Sequence, residues 1–155
     1  MSDVTEGQAA PAFEMPASGG RTVNLATYAG RPFILYFYPK ADTTGCTQEA
    51  GAFQEALPAL AAAGFDVIGV SPDAMKAIEK FAAKYGLTFP LASDAEKTTA
   101  AAYGTWVEKS MYGRKYMGME RSTFLIDAQG KVAKIWRSIK IPGHAAAVLA
   151  AAKAL

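Results

Sequence analysis

Residues 32–38, PFILYFY, constrain the fold more than any other stretch of the chain. Apolar and aromatic side chains follow one another almost without a break, between Gly30 and Pro39. A strand with one wet face alternates apolar and polar residues, whereas an unbroken run of this length reads as a strand buried on both faces. A second run, FDVIGV at residues 65–70, has the same character. Between the two lies KADTTG, a set of polar punctuators, and then a helical pattern in which Ala50, Phe53, Leu57 and Leu60 recur on one face. Pro58 falls inside that helix and is expected to kink or split it near residues 56–57, because proline lacks the amide proton of the helical ladder. Gly64 is expected to end it.

The remaining elements follow from the same signals. Residues 22–24 predict a short strand and residues 25–28 one helical turn. SPDAMKAIEKFAAKYG predicts a helix capped by Ser71 or Asp73, with Pro72 near its first turn and Gly86 at its end. Residues 87–92 predict an extended segment and residues 94–103 a short helix. TFLID and VAKIWRS flank a glycine-containing turn at residues 128–131 and predict a hairpin. Residues 143–155 predict a final Ala-rich helix. Strand–helix–strand–helix, then a hairpin, then a helix makes an α/β chain. Parallel pairing comes from right-handed crossovers, an antiparallel edge from the hairpin, and helices lie on both faces of the mixed sheet. No domain boundary is visible in residues 1–155, and residues 1–8 are polar and expected to be loosely ordered.

Composition excludes several classes of function. With 51% apolar and 19% charged residues the chain has an ordinary globular balance. A net charge of +2 argues against a nucleic-acid or polybasic membrane footprint. The opening MSDVTEGQAA has neither a basic nor an apolar signal region, and the apolar tail AAAVLAAAKAL is short and broken by Lys153, so neither a secretory signal nor a membrane span is expected. The single cysteine excludes an intramolecular disulfide, CxxC redox chemistry and a Cys-cluster zinc site. A cytoplasmic location, without metal or cofactor, fits these features.

That cysteine, Cys46, follows a buried strand and a polar loop and stands in the first turn of a helix. Helix starts carry unpaired N–H groups and partial positive charge, and a thiolate placed there is stabilised as a nucleophile. Three neighbours suit a reactive thiol. Thr43, three residues earlier, either caps the helix or reaches the thiolate and an oxygen approaching it. Pro39 fixes the chain as it leaves the strand, and its ring can shield one side of a pocket. Glu49, three residues later, either closes a capping-box-like contact or holds a distant arginine. Against this stands the common role of a lone cysteine as a small buried hydrophobe, of Thr43 as a simple cap, and of Glu49 as a solvated first-turn acid.

The spacing Pro39-x-x-x-Thr43-x-x-Cys46, inside FYPKADTTGCTQEA, resembles the peroxiredoxin family and is most similar to its Q-type group, the bacterioferritin-comigratory proteins. WVEKSMYGRKYMGMERSTFLIDAQGKV at residues 106–132 agrees, as do FDVIGVSPD and FPLASD in kind and order. The resemblance implies a thioredoxin-like fold and reduction of hydrogen peroxide and organic hydroperoxides without metal or haem. It implies that Cys46 attacks the O–O bond and becomes a sulfenic acid, that Thr43 hydrogen-bonds the reacting oxygen, and that Pro39 shields the sulfenate. Arg121, just before Ser122, matches the family's active-site arginine. A fixed cation favours a thiolate and the charge that moves to the leaving oxygen, although an arginine at such a place is more often one half of a surface salt bridge.

The chain departs from the common Q-type pattern in one place. Many members carry a second, resolving cysteine five residues after the first, where this chain has Gly51, or on the following helix, where it has FAAKYG. The resemblance then implies that an external thiol, thioredoxin or glutathione with glutaredoxin, restores Cys46, in a monomer or a weak homodimer. The alternative is a peroxide sensor whose oxidised form binds a partner with little turnover, and a third reading is an inert buried thiol. His144, the only histidine, suggests no Cys–His couple. Trp106, Tyr112 and Tyr116, interleaved with Lys109, Arg114 and Lys115, are expected to form a loop over the site rather than a nucleic-acid surface. Met111, Met117 and Met119 are expected as packing residues or as the lining of an apolar access route.

Overall fold

The computed structural model describes residues 4–155. Its first strand, β1 (Glu14–Ala17), turns back into β2 (Arg21–Asn24), and one 3-10 turn, Leu25–Tyr28, leads on to β3 (Phe33–Phe37). Helix α1 (Thr44–Ala62) and strand β4 (Asp66–Ser71) follow, then α2 (Met75–Tyr85), β5 (Leu91–Ser93) and the short α3 (Thr98–Ala102). Two strands, β6 (Trp106–Met111) and β7 (Arg114–Met119), pair with each other. The chain ends with β8 (Ser122–Ile126), β9 (Val132–Trp136) and α4 (His144–Lys153). Among the described residues seven strands make one mixed sheet in the order β2-β1-β5-β4-β3-β8-β9. β3, β4 and β5 are parallel, and the flanking pairs are antiparallel. This is the α/β mixed sheet that the element order predicts, in the thioredoxin-like form that the resemblance implies.

β3 lies at the centre, between β4 and β8, and every residue of it is buried. Its alternate side chains divide the core in two. Phe33, Leu35 and Phe37 pack with Phe13, Tyr103 and Phe124 on one face, beside α3. Ile34, Tyr36 and Tyr38 pack with residues of α1, α2 and α4 on the other, among them Cys46, Phe53, Phe81 and Val148. The unbroken apolar run exists because neither face of this strand meets water.

Several expectations are corrected. Pro58 does not split α1, which runs unbroken from Thr44 to Ala62. Pro58 is exposed, on the side of the helix away from the sheet. Neither Ser71 nor Asp73 caps α2. The N-cap is Ala74, without a side-chain bond, and the Asp73 carboxylate instead accepts from the Ser71 hydroxyl and from the Ala41 amide at 2.7 Å. Asp94 is an unforeseen cap, its two oxygens accepting from the amides of Thr99 and Ala100 at the start of α3. β1 was absent from the pattern, since Met15 and Ala17 alone face the core. Of residues 1–8, expected to be loose, residues 1–3 lie outside the described residues. The others are tied to β9: Val4 is buried, the Gly7 amide donates to the Val132 carbonyl, and the Val132 amide donates to Gln8.

Gly69 on β4 stands opposite Tyr36 in the parallel register. A Cβ at this glycine would come within 2.8 Å of the Leu91 side chain and 2.9 Å of the Tyr36 ring and hydroxyl. The glycine is therefore a space for a tyrosine whose hydroxyl is buried without a hydrogen-bond partner. Gly69→Ala is expected to destabilise the fold by about 1–3 kcal/mol through overpacking. Adding Tyr36→Phe should recover part of that loss, and urea unfolding of the single and double variants measures both.

Candidate functional site

The site is built where the end of β3 gives way to α1. After Tyr38, whose amide donates to the Val70 carbonyl, residues 39–43 form a loop that two acids hold down. The Ala41 amide donates to Asp73. Asp42, at φ 62°, accepts from the Tyr85 hydroxyl at 2.6 Å and the Lys84 ammonium at 3.0 Å, both at the end of α2. Those two hydrogen bonds, from Tyr85 and then Lys84, hold the Asp42 carboxyl below the usual carboxylate range. The loop thus delivers α1 at a set position, and Cys46 falls on the third residue of the helix, 1% exposed.

Arg121 comes from the other side, from the residue immediately before β8. One guanidinium nitrogen, Nη2, stands 3.3 Å from Cys46 Sγ, and the other, Nη1, donates to Glu49 Oε1 at 2.6 Å. Glu49 and Cys46 are three residues apart on α1 and so share a face, which lets one planar fork reach both. Burial opposes the Arg121 charge, but Glu49 and Cys46 outweigh it and raise its pKa above the ordinary arginine value. Glu49 is 2% exposed, and its second oxygen has no hydrogen-bond partner. Burial pushes its carboxyl up to about 7, against the pull of Arg121. Of the two roles foreseen for Glu49, the structure contains the grip on a distant arginine and no capping box.

Thr43 is the backbone N-cap of α1, but its hydroxyl makes no cap bond. It donates to the Lys40 carbonyl at 3.0 Å and is exposed, at the mouth of the loop. Pro39 is half-buried in the same loop. Gly45 lies under Arg121 and Ile141: a Cβ there would meet Ile141 Cδ1 at 3.1 Å and Arg121 Nη2 at 3.4 Å. The Ile139 amide donates to the Arg121 carbonyl, tying the segment before α4 to the site. Ile141 and Asp73 were not foreseen. Ile141 carries no chemistry by residue type, Asp73 reads locally as a helix cap, and only the fold brings them to the loop.

His144 is a core residue. Its Nε2 lies 2.8 Å from the Thr123 hydroxyl, and its ring packs edge-on against Phe53 and Trp136. Burial, and then the Arg121 charge, lowers its pKa to about 4. The stretch expected as a loop over the site is instead the β6–β7 hairpin. Met119 is buried at its base, while Met111 and Met117 are exposed. Among the described residues no group of three or more His, Cys, Asp or Glu is placed to hold a metal ion. A surface cleft of about 660 Å³ between β1 and α3 includes none of the site residues.

A buried thiol on the first turn of a helix, faced by an arginine that a buried glutamate holds, can do nucleophilic chemistry on a small substrate. The family model described as AhpC/TSA family matches residues 6–135. The chain belongs to the AhpC/TSA family. It is 44% identical to peroxiredoxin Bcp of Xanthomonas campestris, over 99% of this chain and 98% of that one. It is also 44% identical to peroxiredoxin Bcp of Bacillus subtilis, over 92% and 91%. A solved structure of the X. campestris bacterioferritin comigratory protein, from work on its alkyl peroxide reduction activity, superposes with a TM-score of 0.91 at 42% identity. It covers 97% of this chain and 98% of that one. With these AhpC/TSA relatives, the chain is a thiol-dependent peroxidase.

The two buried titratable groups beside Arg121 act on stability in opposite directions. Glu49 rises from 4.5 to about 7 on folding, so its contribution is complete below pH 4.5 and is lost as pH rises through 7. His144 falls from 6.5 to about 4, so its contribution is complete above pH 6.5 and is lost as pH falls toward 4. Glu49→Gln should therefore flatten the decline of the urea midpoint on the neutral side. His144→Gln should flatten the decline on the acid side.

Proposed function

We propose that Cys46 is the nucleophile that cleaves hydrogen peroxide and organic hydroperoxides, and that an external thiol regenerates it. The observation that carries this reading is the Arg121 fork, one arm on Cys46 Sγ and the other on Glu49. The thiolate attacks the terminal oxygen of the hydroperoxide. The O–O bond breaks, the leaving oxygen takes a proton and departs as water or alcohol, and Cys46 becomes a sulfenic acid. Arg121 holds the charge that passes from sulfur to oxygen, and Glu49 positions Arg121. Thr43 turns its hydroxyl from the Lys40 carbonyl to the reacting oxygen, and Pro39 shields the sulfenate.

The chain has one cysteine, so the next step is intermolecular. An outside thiol attacks the sulfenic sulfur and releases water, and a second thiol reduces the mixed disulfide. Thioredoxin, or glutathione with glutaredoxin, has the chemistry for both steps. A thiol that must return to the reduced state suits the cytoplasm, where the chain works as a monomer or a weak homodimer. Among the described residues no helix is long and apolar enough to cross a membrane.

One equivalent of peroxide should add a single oxygen at Cys46, read by mass spectrometry, and Cys46→Ser should consume none. A Cys46→Ser variant as fast as the natural chain would sink the reading. Arg121→Lys keeps the charge and loses the fork, and the rate constant for peroxide is expected to fall by about 100-fold or more in single-turnover kinetics. The lone thiol also suits a sensor, and steady-state turnover separates the two, since a sensor stalls after one equivalent.

A further inference from the structure

Six large apolar side chains are exposed among the described residues, and four of them, Met111, Tyr112, Tyr116 and Met117, belong to the β6–β7 hairpin. Folding accounts for the base of this hairpin and not for its tip. At the base Met119 is buried opposite Trp106, and the Lys109 ammonium donates to the Met119 carbonyl at 2.6 Å. At the tip Tyr112 is 99% exposed. Tyr112 at φ 52° and Gly113 at φ 78° make the two-residue turn. Turns with both central residues at positive φ favour asparagine, aspartate and glycine, and a bulky side chain there is strained. Neither burial nor turn geometry calls for a tyrosine at this position. β6 and β7 pair only with each other in the described sheets, and a free-standing two-stranded ribbon gains little in water. Exposed tyrosine and methionine together with arginine is the composition of a protein-binding surface.

Charge states what the partner is like. The hairpin carries Lys109, Arg114 and Lys115 against a single acid, Glu108, which stands 3.7 Å from Lys115 in an exposed pair. The exposed Lys40 and Lys140 adjoin Pro39 and Ile141 at the Cys46 loop. A second copy meeting the hairpin face to face would set Lys109, Arg114 and Lys115 against their own counterparts, as a two-fold contact requires. An acidic surface with an apolar centre is matched in both respects. The hairpin is also joined to the site at its base, because β7 ends at Met119 and Glu120 leads into Arg121, with the tip at the other end of the strand. We propose that the tip of the β6–β7 hairpin is the docking surface for the external reductant, a protein with a reactive dithiol and an acidic, partly apolar face. This rests on the reading that Cys46 is restored by an outside thiol, and it names the partner.

The test compares the natural chain with a tip variant, Met111→Ser, Tyr112→Ser, Arg114→Glu and Met117→Ser combined. All four side chains are exposed, and unchanged circular dichroism confirms folding. With dithiothreitol as reductant, both proteins should consume peroxide at the same rate. With thioredoxin and thioredoxin reductase, kcat/KM for thioredoxin should fall at least tenfold in the variant. For the natural chain it should also fall with rising ionic strength, while the dithiothreitol rate does not. Equal kcat/KM for thioredoxin in the two proteins overturns the proposal. So does a natural chain that accepts glutathione and not thioredoxin, a natural dimer that the variant makes monomeric, or binding of a single-stranded oligonucleotide that the variant loses. Failure to consume peroxide even with dithiothreitol overturns the peroxidase reading itself, and the proposal with it.

Discussion

One guanidinium joins the two halves of the site. Cys46 and Glu49 belong to α1, Arg121 immediately precedes β8, and among the described residues the Arg121 side chain alone is bonded to both. Burial of charge is costly, and a buried ion pair is weak evidence for stability. Here the cost is visible, since Glu49 keeps one oxygen without a partner and its carboxyl is pushed up to about 7. An apolar pair of similar volume would serve the core at least as well. What it would not do is hold a planar cation in the orientation that leaves Nη2 against the sulfur. The arrangement is organised around the placement of a charge, and stability is the quantity given up for it.

The rest of the fold fixes the two ends of that bridge. α1 begins where it does because the preceding loop is pinned to α2 by Asp42 and to the end of β4 by Asp73. Arg121 stands where it does because β8 pairs with β3 along its whole length. Since β3 also feeds the loop, sheet and helix share one reference, a strand buried at every residue. The segment before α4 closes the third side through Ile139 and Ile141, with Gly45 leaving the space that a Cβ would fill.

Much of this was legible in the residues. The PFILYFY run predicted the central strand because double burial erases alternation, and glycines 64 and 86 marked helix ends because both stand at positive φ. The lone cysteine at a helix start and the spacing to Thr43 and Pro39 located the loop. Other features were hidden for physical reasons. Pro58 suggested a break, but an exposed outer face tolerates it. Thr43 looked like a side-chain cap, yet its hydroxyl found the Lys40 carbonyl three residues back. Asp73 looked like the cap of α2 because local spacing cannot see that its oxygen is required 32 residues away by the Ala41 amide. The β6–β7 hairpin was missed because its strands are wet on most positions and carry no apolar period.

A solitary cysteine changes what the surface must do. When a resolving thiol is part of the same chain, it meets the sulfenic acid at a high effective concentration set by the tether. Without one, the second step is bimolecular, and its rate depends on how often a partner arrives in the right orientation. A buried nucleophile makes the orientation stricter, because a partner that lands elsewhere presents its thiol to the wrong side of the fold. Cations near the loop raise the arrival rate of an acidic partner, and an apolar tip prolongs its stay. In the proposed docking, the exposed Tyr112, held at positive φ on a ribbon whose base leads to Arg121, takes on the surface the part that a cysteine at Gly51 or in FAAKYG would take in the chain.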